Sequence, residues 1–320
     1  MLEVRKSAEW VAEQSTLVRI ENKAVARFAE CLGTEGIPVP HWDAFHHFRG
    51  SDEETVTYFL LLDTLNFCFW PPVGMQKWEV EYEGTLVSGY YALALALKKA
   101  MEGGLPLTNA HYLAGLSMGE LEEILIGRGA LQLMESRLQI VRELGRVLLE
   151  NHQGRPEHLV AAAERSAAAL ARRLGQELSS FRDQATYRGK KVFFYKRAQI
   201  LAADLHGAFG GKGWGSFYDL GELTAFADYK LPQVLRHVGV LEYAEALAEK
   251  VDQMALLEPG SREEVEIRAN TIWAVELIRD ALRGKGREFT SSEIDWLLWN
   301  LGQEDRFRVK PYHRTVSIFY

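Results

Sequence analysis

Apolar side chains recur at three- to four-residue spacing along most of the chain, which is the pattern of amphipathic α-helices. Residues 7–32 have this spacing and predict a helix, and the Gly- and Pro-rich segment 33–40 interrupts it. The stretch ETVTYFLLLDTLNFCFW, residues 54–70, predicts a buried helix that ends before Pro71. Residues 77–84 predict a loop that contains a short strand.

Further helices follow the same pattern. A buried Ala- and Leu-rich helix is expected from about Ser88 to Met101, and a series of helices from 108 to 178. The glycine-rich stretch GAFGGKGWG, residues 207–215, predicts a loop, for which a lid is one interpretation. Two helix starts contain a capping box, in which a Ser or Thr and a Glu bind each other's backbone amides: Ser117 with Glu120, and Thr290 with Glu293.

Composition narrows the class of protein. The chain is 47% apolar and 25% charged, as globular proteins are, and its length fits one compact, mainly α domain over residues 1–320 with a few short strands. Residues 1–34 are expected to pack on it as a helical extension. The net charge of −7 argues against binding duplex nucleic acid. Cys31 and Cys68 lack metal-motif spacing, and the apolar run 86–97 is too short for a membrane span, so we expect a cytoplasmic protein.

Three short motifs suggest functions that their context does not support. GLSMG resembles a nucleophile elbow, but a helix precedes Ser117, which already serves as an N-cap. GGKGWG departs from the phosphate-binding loop, because His206 and Gly213 replace the required Gly and Ser or Thr. HWDAFHHF contains four candidate metal ligands, although such residues more often pack or form hydrogen bonds: His41, Asp43, His46 and His47.

One polar cluster lies inside the apolar stretch 54–70. On a helix, its polar and aromatic members would share one face: Asp63, Asn66, Phe67 and Trp70. A buried carboxylate costs several kcal/mol unless it is paired, so Asp63 needs a partner. Either it forms a structural hydrogen bond to a neighbouring helix, or the face holds a planar ring between aromatic side chains and reads its polar edges.

Other clusters contain cations. Lys196 and Arg197 follow an aromatic triplet and indicate either an anion site or a solvated helix face. The C-terminal cluster KPYHR, residues 310–314, also indicates either an anion site or a solvated face, and its members are Lys310, Tyr312, His313 and Arg314. Asp228 and Lys230 precede a helix start and are either solvated loop charges or part of a site.

Six blocks of the chain carry a family resemblance: LLLDTLNFCFW, SGYYALALALKKAMEGGLPL, FYKRAQILAADL, FADYKLPQVL, EIRANTIWAVELI and PYHRTVSIFY. In this order they resemble the blocks of the queuosine salvage proteins, the queuosine 5′-phosphate N-glycosylases. The resemblance extends from about residue 35 to the end. It implies a mostly helical core similar to the helix-hairpin-helix DNA glycosylases. It also implies hydrolysis of queuosine 5′-monophosphate to queuine and ribose 5-phosphate, with no metal or other cofactor. Residues 231–240 lack the glycine pattern with which such hairpins approach DNA.

The resemblance assigns the catalytic role to Asp228. An ionised carboxylate beneath the ribose would oppose the positive charge of an oxocarbenium-like transition state, or would activate the attacking water. Lys230 is expected to help by lowering the pKa of this acid. Queuine is a 7-deazaguanine and lacks a ring nitrogen that many purine glycosylases protonate. Stabilising the sugar cation and binding the edges of the departing base must therefore supply more of the rate enhancement.

The implied substrate has three parts that need contacts. For the base we expect edge contacts from Asp63 and Asn66, with Phe67 or Trp70 stacking, whereas Asp63 or Asp204 could instead pair with the ammonium of the cyclopentene-diol arm. The candidate phosphate ligands combine cations, hydroxyls and backbone amides: Lys196, Arg197, Lys230, His237, Arg314, Tyr229, Tyr312, Ser88 and Gly89.

Two other functions fit a helical chain of this kind. A DNA glycosylase would need a basic face and a base-flipping wedge. A non-catalytic nucleotide-binding module would use amphipathic helices, such as those in residues 131–178, as a partner surface. The chain is acidic and has no obvious Gly-rich hairpin, which argues against the DNA glycosylase. A non-catalytic module would need neither the buried-looking Asp63 nor the pair of Asp228 and Lys230.

Overall fold

The computed structural model describes residues 1–34 and 42–320, which are mainly helical, so the mainly α class predicted from the sequence is confirmed. None of the helices in this part of the chain is long and apolar enough to cross a membrane. The helices are α1 Leu2–Gln14, α2 Asn22–Thr34, α3 Asp52–Leu65, α4 Tyr90–Glu102, α5 Ala110–Gly115, α6 Met118–Ile124, α7 Met134–Asn151, α8 Pro156–Ala161, α9 Ala167–Glu177, α10 Lys196–Ala208, α11 Lys230–His237, α12 Glu245–Asp252, α13 Arg262–Arg283 and α14 Ser291–Leu301. Short 3₁₀ turns occur at Ser179–Phe181, Gly213–Gly215, Leu220–Glu222 and Asp305–Arg308.

The strands of the described residues form small antiparallel pairs. They are β1 Val18–Ile20, β2 Glu79–Tyr82, β3 Thr85–Ser88, β4 Gln184–Tyr187, β5 Lys190–Phe193 and β6 Leu241–Tyr243. β1 pairs with β6, β2 with β3, and β4 with β5. The continuous helix predicted over residues 7–32 is wrong at β1, where Val18 is buried, Arg19 is exposed and Val18 lies opposite Tyr243.

Both capping boxes predicted from the sequence are confirmed, at the starts of α6 and α14. Ser117 lies in the short connection between α5 and α6, so the strand that a nucleophile elbow needs is absent there. Helix α4 begins at Tyr90, two residues later than expected, because Ser88 closes β3 and Gly89 has a positive φ of 69°. Residues 207 and 208 extend α10 and are therefore helical rather than part of a loop.

The helix predicted to reach residue 70 ends at Leu65. Asn66 leaves the helical region, and Cys68 has a left-handed φ of 50°. The buried guanidinium of Arg137, on α7, donates hydrogen bonds to the carbonyls of Leu65 and Phe67 at 2.6 and 2.5 Å, in place of helical amides. Asp63 and the aromatic side chains that follow it therefore do not share a helical face.

Helix α13 joins two apolar clusters. Val265 and Ala269 lie in the cluster that contains α3 and α4, whereas Ile267 and Ile278 lie in the cluster formed with α2, α11 and α14. Helix α1 packs along α13 and buries Val4, Ala8 and Val11. The prediction of a single domain with an extension at residues 1–34 stays a prediction.

Candidate active site

A cavity of about 580 Å³ opens between the N-termini of α4 and α11, helices α10 and α14, and the C-terminal segment. Its volume is in the range of small-ligand sites. Most residues singled out from the sequence line it: Asn66, Phe67, Trp70, Ser88, Gly89, Lys196, Asp204, Asp228, Tyr229, Lys230, Tyr312 and Arg314.

Asp228 lies directly before α11 and is only 7% exposed. Its Oδ1 accepts hydrogen bonds from the backbone amides of Lys230 and Leu231, at 2.7 and 3.0 Å. These bonds fix the orientation of the carboxyl group, because they involve the first free amides of the helix. Within the described residues Oδ2 forms no hydrogen bond, which leaves one carboxylate oxygen available to a ligand.

The segment that carries Asp228 is held from three sides. Gln199 Oε1, on α10, accepts from the amide of Thr224 at 2.9 Å. The amide of Phe226 donates to Asp295 Oδ1, on α14, at 2.6 Å, and Arg268 Nε, on α13, donates to the carbonyl of Ala227 at 3.0 Å. Side chains from three helices therefore position the backbone next to the acid, as a preorganised site requires.

Burial raises the pKa of Asp228, and the positive charge of Lys196 is the largest effect that opposes the rise. The two amides at Oδ1 and the charge of Lys230 oppose it less. Lys196 is buried in turn, and this burial lowers its pKa. Lys230 lowers the pKa of Asp228 as expected, but Lys196 has the larger influence.

Asp295 is a cavity residue that the sequence reasoning missed. It lies in the first turns of α14, and burial together with the negative charge of Asp228 raises its pKa well above the ordinary value. The available signal was an isolated acid in the apolar run IDWLLW, residues 294–299, similar to Asp63 in its own helix. Trp296 and Trp299 from the same run also line the cavity.

One end of the cavity combines acids with aromatic rings. Tyr90 donates to Asp204 Oδ2 at 3.0 Å, and its hydroxyl lies 2.8 Å from His47 Nε2. Burial raises the pKa of Asp204 to about 7. The ring of Trp42 stacks on His47 with centroids 4.9 Å apart and meets Trp296 edge-on at 5.9 Å.

We expect Asp204→Asn to stabilise the protein increasingly as the pH rises. Because the pKa of Asp204 is raised to about 7, the folded state holds this proton more tightly than the unfolded state, and folding stability falls as pH rises from about 4 to about 7. Asparagine avoids that loss and still accepts from Tyr90. The difference in Tm between variant and wild type should grow from pH 5 to pH 8 in thermal unfolding. The exposed Asp280→Asn is the matched control for net charge, and a difference that shrinks with pH would contradict the expectation.

Aromatic and basic side chains form another part of the lining. Tyr229 and Tyr312 pack with ring centroids 4.8 Å apart, and the Arg314 guanidinium lies 5.5 Å from the Trp70 ring. Lys230 Nζ donates to the carbonyl of Gly302 at 3.3 Å. Burial and the nearby cations lower the pKa of Lys230 to about 8.

Three predicted site residues do not line the cavity. Asp63 is buried behind it, where Oδ1 accepts from Asn66 at 3.3 Å and the charge of Asp204 adds to the effect of burial in raising its pKa. Arg197 is also buried, and it binds backbone carbonyls of residues 63, 64 and 180. His237 packs against Phe307 at the end of α11. For Arg197 these contacts favour a structural role over phosphate binding.

The described residues hold no group of three or more His, Cys, Asp or Glu side chains arranged to bind a metal ion. Within HWDAFHHF, Asp43 Oδ2 lies 2.5 Å from His46 Nδ1, and the Asp43 carbonyl lies 2.5 Å from His47 Nδ1. His41 lies outside the described residues. These contacts fit the interpretation of packed, hydrogen-bonded histidines.

Comparison with known proteins identifies the family. Residues 46–320 match the family described as queuosine salvage protein. The chain is 48% identical over 310 residues to a protein of Sphaerobacter thermophilus, covering 97% of this chain and 95% of that protein. It is 39% identical over 334 residues to a protein of Mus musculus, covering 100% and 99%. Both relatives are named queuosine 5′-phosphate N-glycosylase/hydrolase. The predicted enzyme class, an N-glycosylase, is confirmed, and the chain belongs to the queuosine salvage protein family.

Proposed function

We propose that this chain hydrolyses the N-glycosidic bond of queuosine 5′-monophosphate, releasing queuine for salvage into tRNA and ribose 5-phosphate. The proposal rests on the order of charges that we infer along the cavity from the lining residues and their electrostatic partners: acids among aromatic rings, then a buried acid beside a buried amine, then a group of cations. A nucleotide with a cationic base and an anionic phosphate has the complementary order. The names of the relatives support the same substrate.

Electrostatic interactions between successive residues support this order. Asp204 interacts with Lys196, Lys196 with Asp228, Asp228 with Lys230, and Lys230 with Arg308. In this arrangement the base would lie near Asp204, the sugar near Asp228 and the phosphate near Lys230. The anchored phosphate and base would then position C1′ for reaction.

Asp228 would act on the sugar. As the C1′–N bond breaks, positive charge develops on the ribose, and the unpaired Oδ2 provides a negative charge in a cavity where water screens it poorly. Lys196 favours the ionised form of this acid. Water supplies the new C1′–O bond, and the proton it releases balances the charge on the departing base.

Asp295 would remain protonated while Asp228 is ionised. Two buried carboxylates that interact this strongly do not both lose their protons readily near neutral pH. Asp295 has its pKa raised by burial and by the charge of Asp228, and its Oδ1 accepts from the Phe226 amide. The pair of Asp228 and Asp295 would thus carry one negative charge, on Asp228.

At the base end, Asn66 would contact a polar edge of queuine, and Phe67 or Trp70 would stack on its face. Asp204 would pair with the ammonium of the cyclopentene-diol arm, because its carboxylate lines the cavity whereas that of Asp63 does not. A substrate analogue whose base lacks this amine, and is therefore neutral, should bind less tightly.

We also propose that the chain forms a single domain whose core is related to helix-hairpin-helix DNA glycosylases, because the family resemblance implies such a core. The reaction would need no metal, so a chelating agent should leave the rate unchanged. A rate lost on chelation and restored by one divalent cation would contradict this.

The direct test is to incubate the purified protein with queuosine 5′-monophosphate and follow the products by mass spectrometry. We expect free queuine and ribose 5-phosphate in equal amounts, with little release by Asp228→Asn. Intact substrate after prolonged incubation with folded protein would overturn the proposal. A duplex gel shift at physiological salt tests the DNA glycosylase alternative, for which we expect no complex.

A further inference from the structure

Asp183 does not line the cavity, but it caps the helix that carries Lys196. Tyr195 precedes α10 with a left-handed φ of 49°, and its side chain forms no capping hydrogen bond. Asp183 Oδ2 accepts instead from the amide of Lys196, at 3.1 Å. The Asp183 carbonyl accepts from the amides of Phe194 and Tyr195, at 3.0 and 3.1 Å. Because the first amides of a helix lack helical partners and favour a negative charge, Asp183 fixes where α10 begins.

Arg268, on α13, binds the same carboxylate. Its Nη1 and Nη2 donate to Asp183 Oδ1 and Oδ2 at 2.9 and 2.7 Å, and its Nε donates to the carbonyl of Ala227 at 3.0 Å. Asp183 and Arg268 are each 2% exposed. A planar guanidinium can form a bidentate pair and a third hydrogen bond at the same time, which a lysine ammonium cannot reproduce.

Further contacts restrict the guanidinium of Arg268. Its Cζ lies 3.9 Å from the ring centroid of Phe194 and 4.3 Å from that of Tyr320. Glu264 Oε1, one turn earlier on α13, lies 3.4 Å from Nη1. Cations are attracted to aromatic faces, so the two rings and the two acids together leave this side chain little freedom to rotate.

The Asp183–Arg268 pair therefore connects two backbone positions of the cavity: the amide of Lys196, and the carbonyl that directly precedes Asp228. We propose that Asp183 and Arg268 are positioning residues, which hold the start of α10 against the segment before α11 and thereby keep Lys196 beside Asp228. This inference rests on the proposed function, in which the two charges act together on the sugar.

The groups that face Asp228 come from several elements. Lys230, at the start of α11, and Lys196, on α10, favour its ionised form. Its charge raises the pKa values of Asp295, on α14, and of Tyr229. Lys230 is held close because its own amide binds Asp228. Lys196 comes from a separate helix, so its placement depends on long-range contacts such as the Asp183–Arg268 pair.

The test is Arg268→Lys, which keeps the charge but not the three-bond geometry. We expect kcat for queuosine 5′-monophosphate to fall about tenfold to a hundredfold with little change in KM, because the binding groups are retained and the reacting groups are misplaced. The acid limb of kcat should move to higher pH, since Lys196 would then favour ionised Asp228 less. Arg279→Lys is the matched control and should change neither, because Arg279 lies on the same helix, pairs with buried Glu276 and does not line the cavity.

A double-mutant cycle with Lys196→Met separates positioning from a general loss of structure. If the Asp183–Arg268 pair acts through Lys196, Arg268→Lys should not shift the acid limb further when Lys196 is already methionine. Equal shifts in both backgrounds would overturn the proposal. So would a single variant whose kcat falls by the same factor at every pH. If Arg268→Lys does not fold, Asp183→Glu asks the same question, because it keeps the charge and lengthens the link by one methylene.

A lysine ¹³C NMR titration tests the positioning role without turnover. Burial lowers the pKa of Lys196, and the charge of Asp228 is the largest effect that opposes this. The pKa of Lys196 should therefore be lower in Arg268→Lys than in wild type, and an unchanged pKa would overturn the proposal while leaving the hydrolase intact. If wild type releases no queuine, the proposed function fails, and the titration still decides whether the pair holds Lys196 beside Asp228.

Discussion

Replacing Asp228 with asparagine is expected to lower kcat by about a thousandfold or more, with a much smaller change in KM. The substitution removes the negative charge that opposes the developing sugar cation but keeps the size of the side chain. The amide oxygen can still accept from the amides of Lys230 and Leu231, so the start of α11 should remain intact. Steady-state kinetics with queuosine 5′-monophosphate measures the effect.

Two controls separate lost chemistry from lost structure. Thermal unfolding of Asp228→Asn should match wild type or exceed it, because a buried carboxylate with a raised pKa is removed. Asp219→Asn is unsuitable as a comparison, since Asp219 caps α9. Exposed Asp280→Asn is suitable and should keep full activity. A folded Asp228→Asn protein with near-normal kcat would remove this acid from the mechanism.

Lys196→Met is expected to lower kcat at neutral pH by about a hundredfold. It should also shift the acid limb of the pH profile of kcat to higher pH. Lys196 interacts electrostatically with four buried carboxyls: Asp63, Asp204, Asp228 and Asp295. Without its charge the pKa of Asp228 rises further, so a smaller fraction is ionised at a given pH. Raising the pH should then restore part of the rate, which profiles of kcat from about pH 5 to about pH 9 would detect.

The matched control for this variant is Lys191→Met, the same replacement at an exposed position on β5. It should leave both the rate and the pH profile unchanged. Lys196→Arg retains the charge and should keep the acid limb near its wild-type position even if the rate falls. If Lys196→Met instead lowered kcat by the same factor at every pH, with an unshifted pH profile, Lys196 would not control the ionisation of Asp228.

Local signals predicted much of the fold, and long-range contacts account for what they missed. The starts of α6 and α14 were predictable because a capping box lies within four consecutive residues. Strand β1 was not predictable from local sequence, because its partner strand β6 is far along the chain. The end of α3 depends on Arg137 of α7, whose guanidinium binds the carbonyls of the residues that leave the helix.

The same distinction applies to the site. Family resemblance selected Asp228, and the polar residues beside it in sequence line the same cavity. Asp295, Lys77 and Arg308 come from separate segments and converge only in the fold, so no local motif indicated them. Conversely, Arg197 followed a promising pattern but binds backbone carbonyls in the interior. A cationic pair in the sequence therefore does not reveal which of its members reaches the ligand.

The most direct measurement of the central claim compares a cationic and a neutral sugar phosphate, an iminoribitol 5-phosphate and ribose 5-phosphate, by calorimetry. The protonated ring nitrogen imitates the charge that the ribose acquires in the transition state. The account predicts that wild type strongly prefers the cationic compound and that Asp228→Asn loses this preference while still binding ribose 5-phosphate. An equal preference in both proteins would show that the carboxylate does not face the sugar cation, and would contradict the account.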